Sequence, residues 1–152
     1  MKIYLAGPLF TQAEQDWLCR LKAQILAHTP AAPVEVCWPH DLFTAREIAA
    51  WGDRAKHEIF DRCREHLDKA DAVVALLDGT QVDDGTAWEI GYFFARRRHG
   101  QPIIGIRTDF RKAGDTDNAR VNLMIDCTCD SIVTTVDDLL CEIGKLLKKT
   151  PG

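Results

Sequence analysis

A single α/β domain of the flavodoxin-like type is the fold the sequence predicts: a doubly wound parallel sheet of five strands with helices on both faces. Three observations carry that expectation. Short apolar runs alternate with amphipathic stretches along the chain, the mark of βα units feeding a parallel sheet. Residues 72–77 are continuously apolar, as a central strand covered on both faces must be. The 152 residues, 46% of them hydrophobic, supply one core of ordinary size. The expected domain therefore runs over 1–152.

Each element has its own local reason. Residues 3–6 form an apolar strand stopped by Gly7-Pro8. Thr11-x-x-Glu14 is a capping box, and Trp17, Leu18, Leu21 and Ile25 recur on one helical face behind it. Pro30 and Pro33 mark a turn, and 34–38 is a second strand ended by Pro39. Thr44-x-x-Glu47 is another capping box. Ile48, Trp51, Ala55, Ile59, Cys63 and Leu67 follow it, so one long helix or two abutting ones fit. After the third strand, 78–85 is a polar, glycine-containing loop. Residues 86–98 read as a helix with Ile90, Phe93 and Phe94 inward and Arg96-Arg97-Arg98 in its last turn, where cations suit the dipole. A fourth strand at 103–106 is followed by a long charged loop, 107–120. A short fifth strand lies at 131–133, and Leu139, Leu140, Ile143, Leu146 and Leu147 face inward on a closing helix. The expected strand order is 2-1-3-4-5.

Composition narrows the function classes. Nineteen Lys and Arg against 23 Asp and Glu give a net charge of −4, which argues against a nucleic-acid polymer as partner. No apolar run approaches the roughly 20 residues of a membrane span, and 1–8 lack a signal-peptide pattern. The expectation is a cytoplasmic protein with no membrane partner, its six cysteines reduced. Cys19, Cys63 and Cys141 are expected as small buried residues. His40, His57, His66 and His99 lack ligand spacing, so no metal is assigned. Neither GxGxxG nor GxxxxGK[ST] occurs. The amino end of the first helix is still open to an anion. Arg96-Arg97-Arg98-His99 is expected as a solvated turn.

In open sheets of this kind ligands bind beyond the carboxyl ends of the strands, near the reversal of strand order. The loop after strand 3 is the most unusual stretch there. Asp78, Asp83, Asp84 and Glu89 fall within twelve positions, interleaved with Gly79, Gly85 and Thr86. Glu89 is expected in the first turn of its helix, ionised, with its pKa lowered by the helix end. A carboxylate nucleophile needs that state, and Asp83 could approach the same pocket. Paired carboxyl groups are the apparatus of sugar–heteroatom cleavage, although the same acids also simply suit a helix N-terminus. Tyr4 could aim its hydroxyl at Glu89 or be a core aromatic. Phe10 could stack on a base or staple the first helix. Asn122 and Met124 could line a pocket or sit in a half-buried extended segment.

Taken together, these residues resemble the nucleoside 2-deoxyribosyltransferase family. The likeness runs from Ile3-Tyr4-Leu5-Ala6-Gly7-Pro8-Leu9-Phe10 through the stretch 70–79 and Asp83-Asp84-Gly85-Thr86-Ala87-Trp88-Glu89-Ile90-Gly91-Tyr92 to Asn122-Leu123-Met124. It implies transfer of 2-deoxyribose between nucleobases, with deoxynucleosides and free bases as partners and no cofactor. It implies Glu89 as nucleophile, Tyr4 as its orienting residue and Asp83 on the sugar hydroxyls. Phe10 would pack on the base, with Gly7, Asp78 and Gly85 also at the substrate. Asn122 and Met124 would reach a neighbouring subunit's site, which implies a homo-oligomer. The family often has Asp or Asn where this chain has Cys63, and Asp41 is an alternative base contact. Two other readings stay open. One is an N-glycosidase acting on deoxynucleoside 5′-monophosphates, with a phosphate pocket from the loop after strand 1 or from Arg107 and Arg111. The other is a non-catalytic nucleotide-sensing domain.

Overall fold

The computed structural model describes residues 1–30, 33–112, 114–117 and 119–149. Parts of the turn at 30–33 and of the loop at 107–120, and the last residues of the chain, lie outside that set. The elements are β1 (Lys2–Ala6), α1 (Gln12–His28), β2 (Glu35–Cys37), a 3₁₀ turn (Pro39–Leu42), α2 (Ala45–Trp51), a second 3₁₀ turn (Gly52–Arg54), α3 (Ala55–Asp68), β3 (Ala72–Leu76), α4 (Asp84–Arg96), β4 (Ile103–Ile106), α5 (Leu123–Asp126), β5 (Ser131–Val133) and α6 (Val136–Lys149). The five strands form one parallel sheet in the order β2-β1-β3-β4-β5, as the alternating pattern predicts.

Strand alternation splits the apolar residues into two cores. Ile3, Leu5, Val74, Leu76, Ile104 and Ile106 face α1 and α6, meeting Leu18, Leu21, Ile25, Leu139 and Ile143. Tyr4, Ala6, Val73, Ala75 and Ile103 face the other way, under Leu67 of α3 and Ile90 and Phe93 of α4. Each Val, Leu or Ile side chain buried in these layers contributes about 1.5–3 kcal/mol relative to exposure. The same alternation decides the site. Tyr4 is the third residue of β1, so its side chain enters the α3–α4 layer and not the α1–α6 layer.

Both capping boxes form. Thr11 and Thr44 each accept from the glutamate three residues on, and each glutamate returns the bond. The long helical pattern after Thr44 divides in two at Gly52, whose φ of 52° suits glycine and breaks the helix. Several expectations are corrected. Helix α4 starts at Asp84, two residues earlier than predicted, because Asp83 supplies the cap. Phe94 is not inward: it is 47% exposed, one step around the helix from buried Phe93. Cys19 and Cys141 are exposed, each beside the apolar stripe of its helix and not within it, and Cys63, four residues before buried Leu67, is only half-buried. Residues 122–126 form a capped single turn where an extended segment was expected. Among the described residues no helix is long and apolar enough to cross a membrane.

Candidate active site

Strand β1 and helix α4 bring together two residues 85 positions apart. The Tyr4 hydroxyl donates to Glu89 Oε1 at 2.5 Å. Tyr4 is fully buried, so its ring is clamped by the core and its hydroxyl has a fixed direction. Burial first, and then the charge of Glu89, hold its pKa far above the usual tyrosine value. It therefore remains a donor at any working pH.

Glu89 does not sit where the sequence placed it. It is the sixth residue of α4, in the second turn, beyond the reach of the helix-end charge. Its pKa is raised, to about 7, and not lowered. Burial is the main cause, the bond from Tyr4 opposes it, and the negative charge of Asp83 adds to it. Glu89 as a whole is half-buried, so its carboxyl lies in low local polarity at the edge of the core. Among the described residues Glu89 forms no ion pair, and its second oxygen, Oε2, accepts no hydrogen bond. One oxygen is thus held and the other is free.

Two thiols complete this wall. Cys37 of β2 lies level with Tyr4 in the sheet, and Cys63 of α3 interacts with both Tyr4 and Glu89. Burial pushes their pKa values up to about 12 and about 11, so both stay neutral. Cys37 was not singled out from sequence, although its place at the end of the second strand was a usable signal.

Asp83 is the N-cap of α4, accepting from Thr86 N at 2.9 Å and from the buried Thr86 hydroxyl at 3.0 Å. A Cβ at Gly85 would lie 3.2 Å from its Oδ2. The helix-cap reading and the proximity to Glu89 both hold for this one carboxylate. Asp78 ties two loops: it accepts from Thr108 N at 2.6 Å, from the Thr108 hydroxyl and from Asp109 N at 2.9 Å. Gly7 is buried where a Cβ would come within 3.0 Å of Leu18 and 3.3 Å of Leu76, so it lets α1 close on the sheet. Phe10 is 81% exposed and does not staple α1. Asp41 is engaged with Lys22 at 2.6 Å.

Asn122 and Met124 stand apart from this group. Asn122 caps α5, its Oδ1 accepting from Met124 N at 3.0 Å, and Met124 is 70% exposed. They line a cavity of about 590 Å³ with Val82, Ala87, Gly91 and Phe94. Ala87, Gly91 and Phe94 share one face of α4, whereas Glu89 is two residues from Ala87, about 200° around the helix. Within the chain the cavity and the free carboxylate are therefore on different flanks of α4. Among the described residues no group of three or more His, Cys, Asp or Glu could hold a metal ion.

Residues 3–124 match the nucleoside 2-deoxyribosyltransferase family. An uncharacterised protein from Ureaplasma parvum is 30% identical over 118 residues, covering 73% of this chain and 72% of that one. The fold matches a conserved protein from Enterococcus faecalis with a TM-score of 0.76 at 28% identity, covering 95% of this chain and 98% of the other. It also matches a 2-deoxyribosyltransferase from Bacillus psychrosaccharolyticus with a TM-score of 0.72 at 22% identity, covering 96% of each. The chain belongs to the nucleoside 2-deoxyribosyltransferase family.

Proposed function

We propose that this family member transfers 2-deoxyribose between nucleobases through a covalent ester on Glu89. The observation that carries the reading is the pairing of a clamped donor with a half-free carboxylate: Tyr4 holds Oε1 at 2.5 Å while Oε2 is unbonded. In the first step Oε2 attacks C1′ of a 2-deoxynucleoside from the face opposite the base. The C1′–N bond breaks, its electron pair goes to the departing base, and the base takes up a proton. In the second step a nitrogen of another base attacks C1′, the ester bond breaks, Glu89 recovers its carboxylate and the new nucleoside loses a proton. Two displacements give net retention.

Charge explains the arrangement. C1′ becomes cation-like as the base leaves, and a carboxylate in low-polarity surroundings stabilises that cation more than one in water does. The Tyr4 bond keeps the carboxyl aimed and partly offsets the cost of its burial. Asp83 adds a second negative charge nearby and would meet the sugar hydroxyls. Phe10, exposed beside the carboxyl end of β1, offers a face to a base. Asn122 and Met124 belong to a neighbouring subunit's site in this reading, which makes the working unit a homo-oligomer.

Incubation with a purine deoxynucleoside and a labelled pyrimidine base tests the activity by chromatography. Labelled pyrimidine deoxynucleoside is expected from the wild type, with ping-pong kinetics. Glu89→Ala should lower turnover by ~10³-fold or more. Near-normal exchange in that variant would remove Glu89 from the mechanism.

A further inference from the structure

We propose that the cleft at the carboxyl end of β4 binds a phosphate or phosphomonoester dianion, separately from the Glu89 group. The cleft holds about 340 Å³ and is lined by Arg107, Arg111, Lys112 and Arg120, with Asp109 and Asp117 as its acids. Four cations converge there in a chain whose net charge is −4.

Arg107 is the unusual member. It is 2% exposed, and among the described residues it has no carboxylate partner. Its guanidinium donates to the carbonyls of Leu77, Gly79 and Arg111, and its Nε–H has no acceptor. A buried charge without a counter-ion is costly, and carbonyl dipoles offset it only in part. The cleft's two acids, Asp109 and Asp117, stand against four cations, and Asp109 is already engaged. Asp109 accepts from Arg111 at 2.7 Å and from Gly79 N at 3.2 Å, so its charge is engaged by Arg111. Lys112 forms no ion pair among the described residues. An incoming dianion would supply what the cleft lacks: two negative charges and several acceptor oxygens for guanidinium and ammonium groups.

The other sequence candidate for an anion is closed. At the amino end of α1 the Phe10 and Thr11 N–H groups already donate to the Glu14 carboxylate, at 3.1 and 2.8 Å. That helix end carries its own anion. In the basic turn at 96–98, Arg96 is engaged with Asp68 and Arg97 with Asp130.

Calorimetric titration of the full chain with potassium phosphate, against potassium chloride at equal ionic strength, tests the site. Saturable phosphate binding is expected, weakened ~10-fold or more in Lys112→Glu/Arg120→Glu. Both residues are exposed, so the fold should survive, checked by circular dichroism. Arg107→Lys, which keeps the charge but loses the fork, should weaken binding as well. A deoxynucleoside 5′-monophosphate that competes with phosphate, where the nucleoside does not, identifies a nucleotide as the source; a nucleotide that does not compete identifies free phosphate, and either result supports the site. Absence of saturable binding, or equal affinity in the double variant, overturns it. Glu89→Ala should bind phosphate as the wild type does. Loss of phosphate affinity in that variant would place the anion at Glu89 and also overturn the proposal, whatever the outcome for base exchange.

Discussion

At the scale of single residues, the proposed reaction turns on a carboxyl group, Glu89, with a pKa raised to about 7 by burial. In the proposed reaction the attacking form is ionised, so kcat/KM should rise with pH through about 7 and fall on the acid side. Tyr4→Phe removes the bond that lowers this pKa and should move the acid limb to higher pH. It should also reduce kcat/KM by roughly 10–100-fold, the worth of one hydrogen bond to a charged group. Asp83→Asn removes the charge that raises the pKa and should move the limb the other way, and a pH–rate profile of each variant separates the two effects. Stability is linked to the same proton. The folded carboxyl keeps its proton from the ordinary 4.5 up to about 7, while the unfolded chain releases it sooner. The stability this group contributes is present below about 4.5 and lost as pH rises through 7. Glu89→Gln should therefore raise Tm at pH 8 relative to wild type and change it little at pH 4, a difference on the order of 2 kcal/mol after allowance for partial exposure. The pairing of Tyr4 with Glu89 was legible in the sequence, but the pKa was not. That depends on which turn of α4 the residue occupies and on the core that closes over it, and neither is a local property.

At the scale of elements, the site exists because β1 and α4 are fixed against each other. Asp83 sets where α4 begins, and one residue of slip would turn Glu89 by about 100° away from Tyr4. Asp83→Ala should cost about 1 kcal/mol through loss of the cap, whereas Asp83→Asn, also a good cap, should keep most of that stability; thermal melts of the two variants check this. Gly7→Val should cost about 1–3 kcal/mol, because Leu18 and Leu76 already crowd the position. Strands, helix faces and both capping boxes were readable because they rest on periodicity and on contacts three or four residues apart. The errors fell where tertiary contacts decide. Cys19, Phe94 and Cys141 sit at the margin of an apolar stripe, where one step of helix separates core from solvent. The turn at α5 is held by Asn122, Asp115 and the loop around them, a local network without a helical period.

At the scale of the whole molecule, one sheet carries two separate flanks of α4. The Tyr4–Glu89 pair is on one, and the cavity with Met124, Phe94 and Asn122 is on the other. If the second flank completes a neighbour's site, then two inactive variants should rescue each other. Glu89→Ala mixed with Asn122→Ala/Met124→Ala should regain part of the exchange activity after the subunits are allowed to redistribute, and light scattering should report an oligomer. The parallel topology was legible from the alternation of elements, whereas the proposed use of the exposed apolar flank rests on family likeness alone. The most direct test of the central claim is acid quenching of the protein with excess deoxynucleoside and no acceptor base, followed by peptide mass spectrometry. A deoxyribosyl ester on Glu89, discharged when a second base is added, is the predicted result. An unmodified Glu89 during active base exchange, or the sugar on any other side chain, would contradict it.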